Sequence, residues 1–214
     1  VSAQRAQAWG EVARRLAHEI KNPLTPIQLS AERLEMKLSG KVPPAEQAIL
    51  AKSVETIVDQ VDAMKRLVNE FRDYARLPAA ELQPLDLNAL IADVLHLYGE
   101  ENASVPVKVE LDPRCPRIAG DAQQLRQVVH NLLQNAQDAT MQARAEGKET
   151  EPFVRISTRL SESSGRVRLS ISDSGTGFPA HILQRAVERY LTPNPRGPGF
   201  GLALVKKIAD EHGA

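Results

Sequence analysis

From Leu50 to Ala75 the apolar residues fall at Leu50, Val54, Ile57, Val61, Met64, Val68, Phe71 and Ala75, in steps of 4, 3, 4, 3, 4, 3 and 4. That spacing draws one apolar line along a helix and fits neither a strand nor a loop. A second line precedes it: Trp9, Val12, Leu16, Ile20, Leu24, Ile27, Ala31, Leu34 and Leu38, again three or four residues apart. Between them, Ser39-Gly40-Lys41-Val42-Pro43-Pro44 is a stop-and-turn signal. Two long amphipathic helices with so short a link make an antiparallel hairpin. Two helices alone bury too little to be stable. The hairpin therefore either pairs with a second copy in a four-helix bundle, the economical solution, or packs on the rest of its own chain.

After the hairpin the period changes. Leu77-Pro78-Ala79-Ala80-Glu81-Leu82-Gln83-Pro84 has two prolines and no helical pattern, and 78–84 reads as a linker. Asp86-Leu87-Asn88 can cap a helix over 88–98, and Val105–Leu111 alternates like a strand. Asp121 opens a strong helix reaching Ala145. Phe153–Leu160 and Val167–Ser172 read as paired strands around Ser163-Ser164-Gly165. A short helix is expected over 180–189 and a last one over Leu202–Glu211. The fold class is α+β: a helical hairpin (1–77), then helices against a mostly antiparallel sheet in an α/β sandwich (85–214).

Composition narrows the function. The 214 residues are 42% hydrophobic, with 27 Lys and Arg against 27 Asp and Glu, a net charge of zero. A disordered chain is excluded, and a general polyanion binder is disfavoured. Cys115 is the single cysteine, so neither an intrachain disulfide nor a cysteine zinc site can form. No apolar run has membrane-spanning length, and the N-terminal residues lack the apolar core of a signal peptide.

Four motifs carry chemistry. In His18-Glu19-Ile20-Lys21-Asn22-Pro23, His18 lies two residues from both Leu16 and Ile20. At about 100° per residue it points away from the apolar line. A solvated surface histidine satisfies that observation as well. Glu19 beside it can hold Nδ1–H, leaving the Nε2 lone pair free as a nucleophile. Pro23 and Pro26 should bend the helix just after His18. In the second motif, Asn131 and Asn135 stand at i, i+4 on one helix face, with Asp138 three residues on. Asparagine is a mediocre helix former, and its amide oxygen suits Mg²⁺ when phosphates and water complete the shell. A solvated polar face is the alternative. Third, Asp173-Ser174-Gly175-Thr176-Gly177 ends a strand. A carboxylate there can accept from an exocyclic amine such as adenine N6, though Asp-Ser-Gly is also ordinary turn chemistry. Fourth, Gly197-Pro198-Gly199-Phe200-Gly201 runs into a helix whose N-terminal amides can attract phosphate. His96, His130, His181 and His212 fit no ligand cluster and read as incidental, with His130 adjoining Asn131.

The order and separation of these motifs are more specific than any one of them. Over essentially the whole chain they resemble the sensor histidine kinases of two-component systems. Ala13-Arg14-Arg15-Leu16-Ala17-His18 through Asn22-Pro23-Leu24-Thr25-Pro26-Ile27-Gln28-Leu29-Ser30 resembles the NtrY-type nitrogen-regulation kinases in particular. The resemblance implies a dimerisation and phosphotransfer hairpin, followed by an ATP-binding domain of the gyrase, Hsp90 and MutL type. It implies that His18 accepts the phosphoryl group, that Glu19 activates it, and that Asn22 orients water for dephosphorylation of the partner. It places Asn131, Asn135 and Asp138 on the nucleotide helix, with Asn135 the Mg²⁺ ligand. Asp173 would recognise adenine, supported by Gly175 and Gly177. Gly197, Gly199 and Gly201 would hinge a lid over the phosphates. ATP and Mg²⁺ are the implied cofactors. A second copy and a response-regulator receiver domain are the implied partners, with no nucleic acid.

The sequence departs from the family pattern mainly in the lid. Thr192-Pro193-Asn194 stands where Thr-Thr-Lys is usual, and Pro198 removes a backbone donor beside the phosphates. An ATP-binding dimeric scaffold, or a kinase of low activity, is therefore the rival reading. A gyrase-type ATPase that phosphorylates no protein is a third, opposed by the His18-Glu19 motif. Family domains continue into further strands past His212-Gly213, so the chain is expected to be C-terminally truncated. It is expected to be the cytoplasmic portion of an inner-membrane sensor, attached to the membrane only through N-terminal segments outside this sequence.

Overall fold

The computed structural model describes residues 2–102, 105–147, 151–177 and 201–214. They fall into two compact units, one ending at Pro78 and the other starting at Ala79. The expected helix over 180–189 and the stretch 192–200, with Gly197 and Gly199, lie outside the described residues.

The first unit is the antiparallel pair α1 (Ser2–Leu38) and α2 (Pro44–Arg76). At the turn Gly40 takes φ +74°, a left-handed conformation that glycine adopts without strain. Its N–H donates to Gln47 Oε1 at 3.0 Å. Pro44 opens α2, a position whose amide has no helical acceptor in any case. Pro23 and Pro26 do not end α1, which runs unbroken through both.

The seam between the two helices follows the predicted apolar line on α2 and departs from it in part on α1. On α1 the buried residues are Gly10, Ala13, Ala17, Leu24 and Ala31, and on α2 they are Val54, Val61 and Val68. Small side chains let the helices approach closely. The larger residues of the α1 line sit about 80° away around the helix. Trp9, Val12, Leu16, Ile20, Ile27, Leu34 and Leu38 remain between 38% and 53% exposed. On α2, Ile57 and Met64 are likewise exposed. Each helix thus carries two adjacent stripes, and one chain covers only the smaller-residue stripe of α1.

The second unit contains β1 (Gln83–Leu85), α3 (Leu87–Asn102), β2 (Val107–Leu111), β3 (Ile118–Gly120), α4 (Ala122–Ala145), β4 (Val154–Ser161), β5 (Arg166–Asp173) and α5 (Gly201–Glu211). β1 and β3 pair antiparallel, Gln83 opposite Gly120. β1 overlaps the end of the stretch read as linker and β3 lies where no element was expected, because three residues are too few to show alternation. β4 and β5 form the expected hairpin, Val154 opposite Asp173. β2 pairs with β4 in parallel, Val107 opposite Val154, the one parallel pair among the described strands, which are otherwise antiparallel as expected. The connection between them includes α4, the long crossover that parallel pairing requires.

The core joins α3 (Leu87, Leu90, Ile91, Val94), α4 (Val129, Leu133, Ala136), Val105 and β4 (Val154, Ile156). Asp86 caps α3, accepting from Ala89 N–H at 3.1 Å. Asn88 stands inside that helix and ties it to the sheet. Its Nδ2 donates to the Asp112 carbonyl at 2.9 Å, and its Oδ1 accepts from Thr158 at 2.7 Å. Among the described residues no helix is long and apolar enough to cross a membrane.

Candidate functional site

The candidate residues fall in both units. On α1, His18 is exposed, as are Glu19 and Asn22. His18 lies about 100° around the helix from the Ala13–Ala17–Leu24 seam and about 180° from the exposed apolar ridge. It therefore faces water whichever stripe is covered. Asn22 stands one turn below it on the same side. The adjacent Glu19 does not hold the imidazole. Its carboxylate accepts from Arg15 Nε at 3.3 Å, four residues back, because successive helical side chains diverge while i, i+4 side chains meet.

In the second unit α4 is the platform. Asp121 starts it as the sequence suggests, with Oδ1 accepting from Gln123 N–H at 3.0 Å and Gln124 N–H at 3.1 Å. Val129, Leu133, Ala136 and Ala143 bury one side of the helix. Asn131, Asn135 and Asp138 lie on the other. Asn135 is exposed, and Asp138 is half-buried and accepts from Gln134 Nε2 at 3.0 Å. Asn131 is half-buried, and its Nδ2 is enclosed with no hydrogen-bond partner among the described residues. A buried amide donor without an acceptor costs free energy unless a ligand or water supplies one.

The end of β5 reaches α4 through Gly175. A Cβ added there would lie 2.6 Å from Ala139 Cβ and 2.8 Å from the Ala139 carbonyl carbon, so no larger residue fits. That approach brings the Asp173 loop beside the Asn135 turn of the helix. Two bonds pin the loop to the start of β4: Ser174 N–H donates to the Phe153 carbonyl at 3.0 Å, and Phe153 N–H donates to Ser174 Oγ at 2.9 Å. Asp173 is exposed. Its Oδ1 accepts from Gly175 N–H at 2.8 Å, while Oδ2 makes no hydrogen bond among the described residues. Gly177 follows at φ +69°. Thus Asn131, Asn135, Asp138, Asp173, Gly175 and Gly177 are gathered in one unit. Gly201 opens α5 and is buried. An enclosed amide donor, an open amide oxygen, a carboxylate oxygen and a glycine-lined approach suit a polar heterocycle with phosphates.

The sequence reading overlooked the residues that hold this platform. Gln137 is buried and bonds both backbone groups of Val105, and His212 bonds the first residue of the α4 cap. The spacing of α4 holds a hint of the first, since Gln137 falls on its apolar side. Nothing in the sequence signals the second.

Comparison with known proteins defines the class. Residues 8–80 match the His Kinase A (phospho-acceptor) domain, and residues 120–214 match the histidine kinase-, DNA gyrase B- and HSP90-like ATPase. The chain belongs to the histidine kinases: a phosphoacceptor domain followed by an ATPase domain. Among known proteins it is similar to the nitrogen regulation protein NtrY of Azorhizobium caulinodans, 39% identical across all of this chain and 27% of that protein. The chain spans about a quarter to a third of the length of such relatives. Two solved structures share the fold. Full-length ShkA in complex with AMPPNP has a TM-score of 0.60 and 26% identity, over 95% of this chain and 41% of that one. Histidine kinase ThkA in complex with the response regulator protein TrrA has a TM-score of 0.60 and 25% identity, over 98% of this chain and 57% of that one.

Proposed function

We propose that this chain is the core of a sensor kinase that moves the γ-phosphoryl group of ATP to His18 and then to an aspartate of a response regulator. The observation that carries the reading is the enclosed, unpartnered Asn131 amide on the helix that the Asp173 loop meets at Ala139, in a chain whose α1 also presents His18 to water.

His18 attacks through Nε2. A phosphorus–nitrogen bond forms, the bond to the β,γ-bridging oxygen breaks, and ADP leaves. Asp173 accepts the exocyclic amine of adenine through Oδ2, and Gly175 and Gly177 let the ring approach the backbone. Asn131 donates to the nucleotide. Asn135 would offer its exposed amide oxygen to an accompanying Mg²⁺, which when bound would supply charge neutralisation at the phosphates. Gly197, Gly199 and Gly201 hinge the lid. Asp138 shapes the outer rim through Gln134. Glu19 acts as the base for His18 after releasing Arg15. Asn22, a turn below, orients the water that removes the phosphoryl group from the regulator. Positioning supplies most of the rate, since little covalent chemistry falls to the protein.

The partners follow from surfaces and relatives. The exposed ridge from Trp9 to Leu38 fits a second copy in a four-helix bundle. The ThkA–TrrA complex supports a receiver domain as acceptor. We place the chain as the cytoplasmic portion of an inner-membrane sensor, with domain limits of 1–77, 78–84 and 85–214.

The test is incubation with γ-labelled ATP and Mg²⁺. The expected product is a base-stable, acid-labile phosphoprotein that is absent in His18→Gln. Folded protein that binds nucleotide but takes no label overturns the reading in favour of the scaffold that Pro198 suggests.

A further inference from the structure

The last residues of α5, the cap of α4 and the first residues after Pro78 meet in one hydrogen-bonded joint. Asp121 works in three directions. Its Oδ1 caps α4, its Oδ2 accepts from Glu81 N–H at 3.0 Å, and its own N–H donates to His212 Nε2 at 2.9 Å. Glu211 accepts from Ala80 N–H at 3.2 Å. Just beyond, β1 pairs with β3, and Gly120 is what lets them close. A Cβ there would lie 2.6 Å from Leu125, 2.9 Å from Leu85 and 3.6 Å from the His212 ring.

The protonation of His212 follows from its contacts. Nδ1 lies 2.8 Å from the Ile208 carbonyl, which can only accept, so Nδ1 carries the proton. Nε2 receives the Asp121 N–H and therefore keeps its lone pair. The ring is the neutral Nδ1–H tautomer, with both nitrogens used. Replacing it with an apolar ring leaves the Asp121 N–H without its acceptor.

We propose that His212 is a positioning residue for phosphoryl transfer, fixing the exit of the helical hairpin to the two helices that frame the nucleotide. This rests on the kinase reading above. α4 carries Asn131 and Asn135, and α5 begins at Gly201, the last glycine of the lid motif. The segment from Ala80 to Leu85 is bound at successive points, so its first residues move with the nucleotide platform rather than as a free tether. A short, anchored tether raises the effective concentration of the platform at the phosphoacceptor. Misplacement by an ångström is costly in such reactions.

The test uses the whole chain with two variants. His212→Phe keeps the ring and loses the acceptor, and His212→Gln restores an acceptor oxygen at a similar reach. In His212→Phe, amide exchange at Ala80, Glu81 and Asp121 should rise at least tenfold while the core of α4 stays protected. Autophosphorylation at saturating ATP should fall about tenfold, with KM for ATP within twofold of wild type. His212→Gln should recover most of both. Unchanged exchange at those amides, a parallel loss of ATP affinity, or a glutamine variant no better than phenylalanine overturns the proposal. If His212→Phe does not fold, Glu211→Ala serves instead: faster exchange at Ala80 with lowered kcat supports the joint, and no change in either refutes it. If wild type takes no label, the kinase reading fails by itself, and the exchange measurement still decides whether the joint exists.

Discussion

Gln137 acts as a strand for Val105. Its Oε1 accepts from Val105 N–H at 2.8 Å and its Nε2 donates to the Val105 carbonyl at 2.7 Å, both in a buried setting. The pair closes the chain between α3 and β2 onto α4. Gln137→Leu keeps the volume but strands two buried backbone groups, each worth about 1–3 kcal/mol. The expected loss is about 2–5 kcal/mol, read as a lowered urea midpoint with unchanged slope. A change below about 0.5 kcal/mol would show that water replaces the amide freely.

Gly175→Ala separates folding from nucleotide binding. The added methyl meets Ala139 at 2.6 Å, so the β5 end must lift from α4. Overpacking of this kind costs about 1–3 kcal/mol. Affinity for a fluorescent ATP analogue should fall more than tenfold, because Asp173 moves with the loop. Retained affinity alongside lost stability would mean that the loop does not set the adenine contact.

The ridge on α1 makes a prediction about assembly. If the ridge pairs two copies as proposed, Ile27→Glu with Leu34→Glu should sediment as monomer where the unaltered chain sediments as dimer, with loss of helicity at micromolar concentration. Leu29→Glu is the control. Leu29 is 59% exposed but lies on the His18 side, so this change should leave assembly intact. Disruption by the control alone would move the interface to the wrong face.

Acid should weaken the second unit through two aspartates. Hydrogen bonds from Arg114, then from Leu160, hold the Asp112 carboxyl well below the usual carboxylate range. The Glu81 amide, then those of Gln124 and Gln123, lower Asp121. A depressed native pKa means that the unfolded chain binds more protons in acid. The contribution is therefore complete above the ordinary carboxylate value near ~4 and is lost as pH falls through the lower native value. Urea midpoints measured from about pH 5 to pH 2 should decline, and Asp121→Asn should flatten that decline. Equal slopes would remove Asp121 as a source.

The long elements were legible because their periods are long. The 4-3 spacing marked both hairpin helices, and Asp121 marked the start of α4. On α2 the seam was legible in Val54, Val61 and Val68, and on α1 in Leu24 and Ala31; Ala13 and Ala17 were missed, since spacing finds large apolar residues and the close packing of α1 on α2 also uses small ones. β1 and β3 were invisible at three residues each. The parallel register of β2 with β4 depends on a crossover that spacing does not encode. Within the site, Asn131, Asn135 and Asp173 could be named from their order along the chain. Their approach through Ala139 and Gly175 could not, and neither could the role of His212, whose partner lies 91 residues away.

Pro23 and Pro26 stay inside α1, and their missing amides fall at a telling level. The carbonyls four residues back belong to Glu19 and Asn22. The rod is continuous in shape, yet two rungs of its internal ladder are absent around the histidine, and water must serve those oxygens. That stretch has two fewer backbone hydrogen bonds to resist distortion than an uninterrupted helix of the same length. His18, the proposed phosphoacceptor, thus stands directly above the stretch of α1 whose backbone ladder is interrupted.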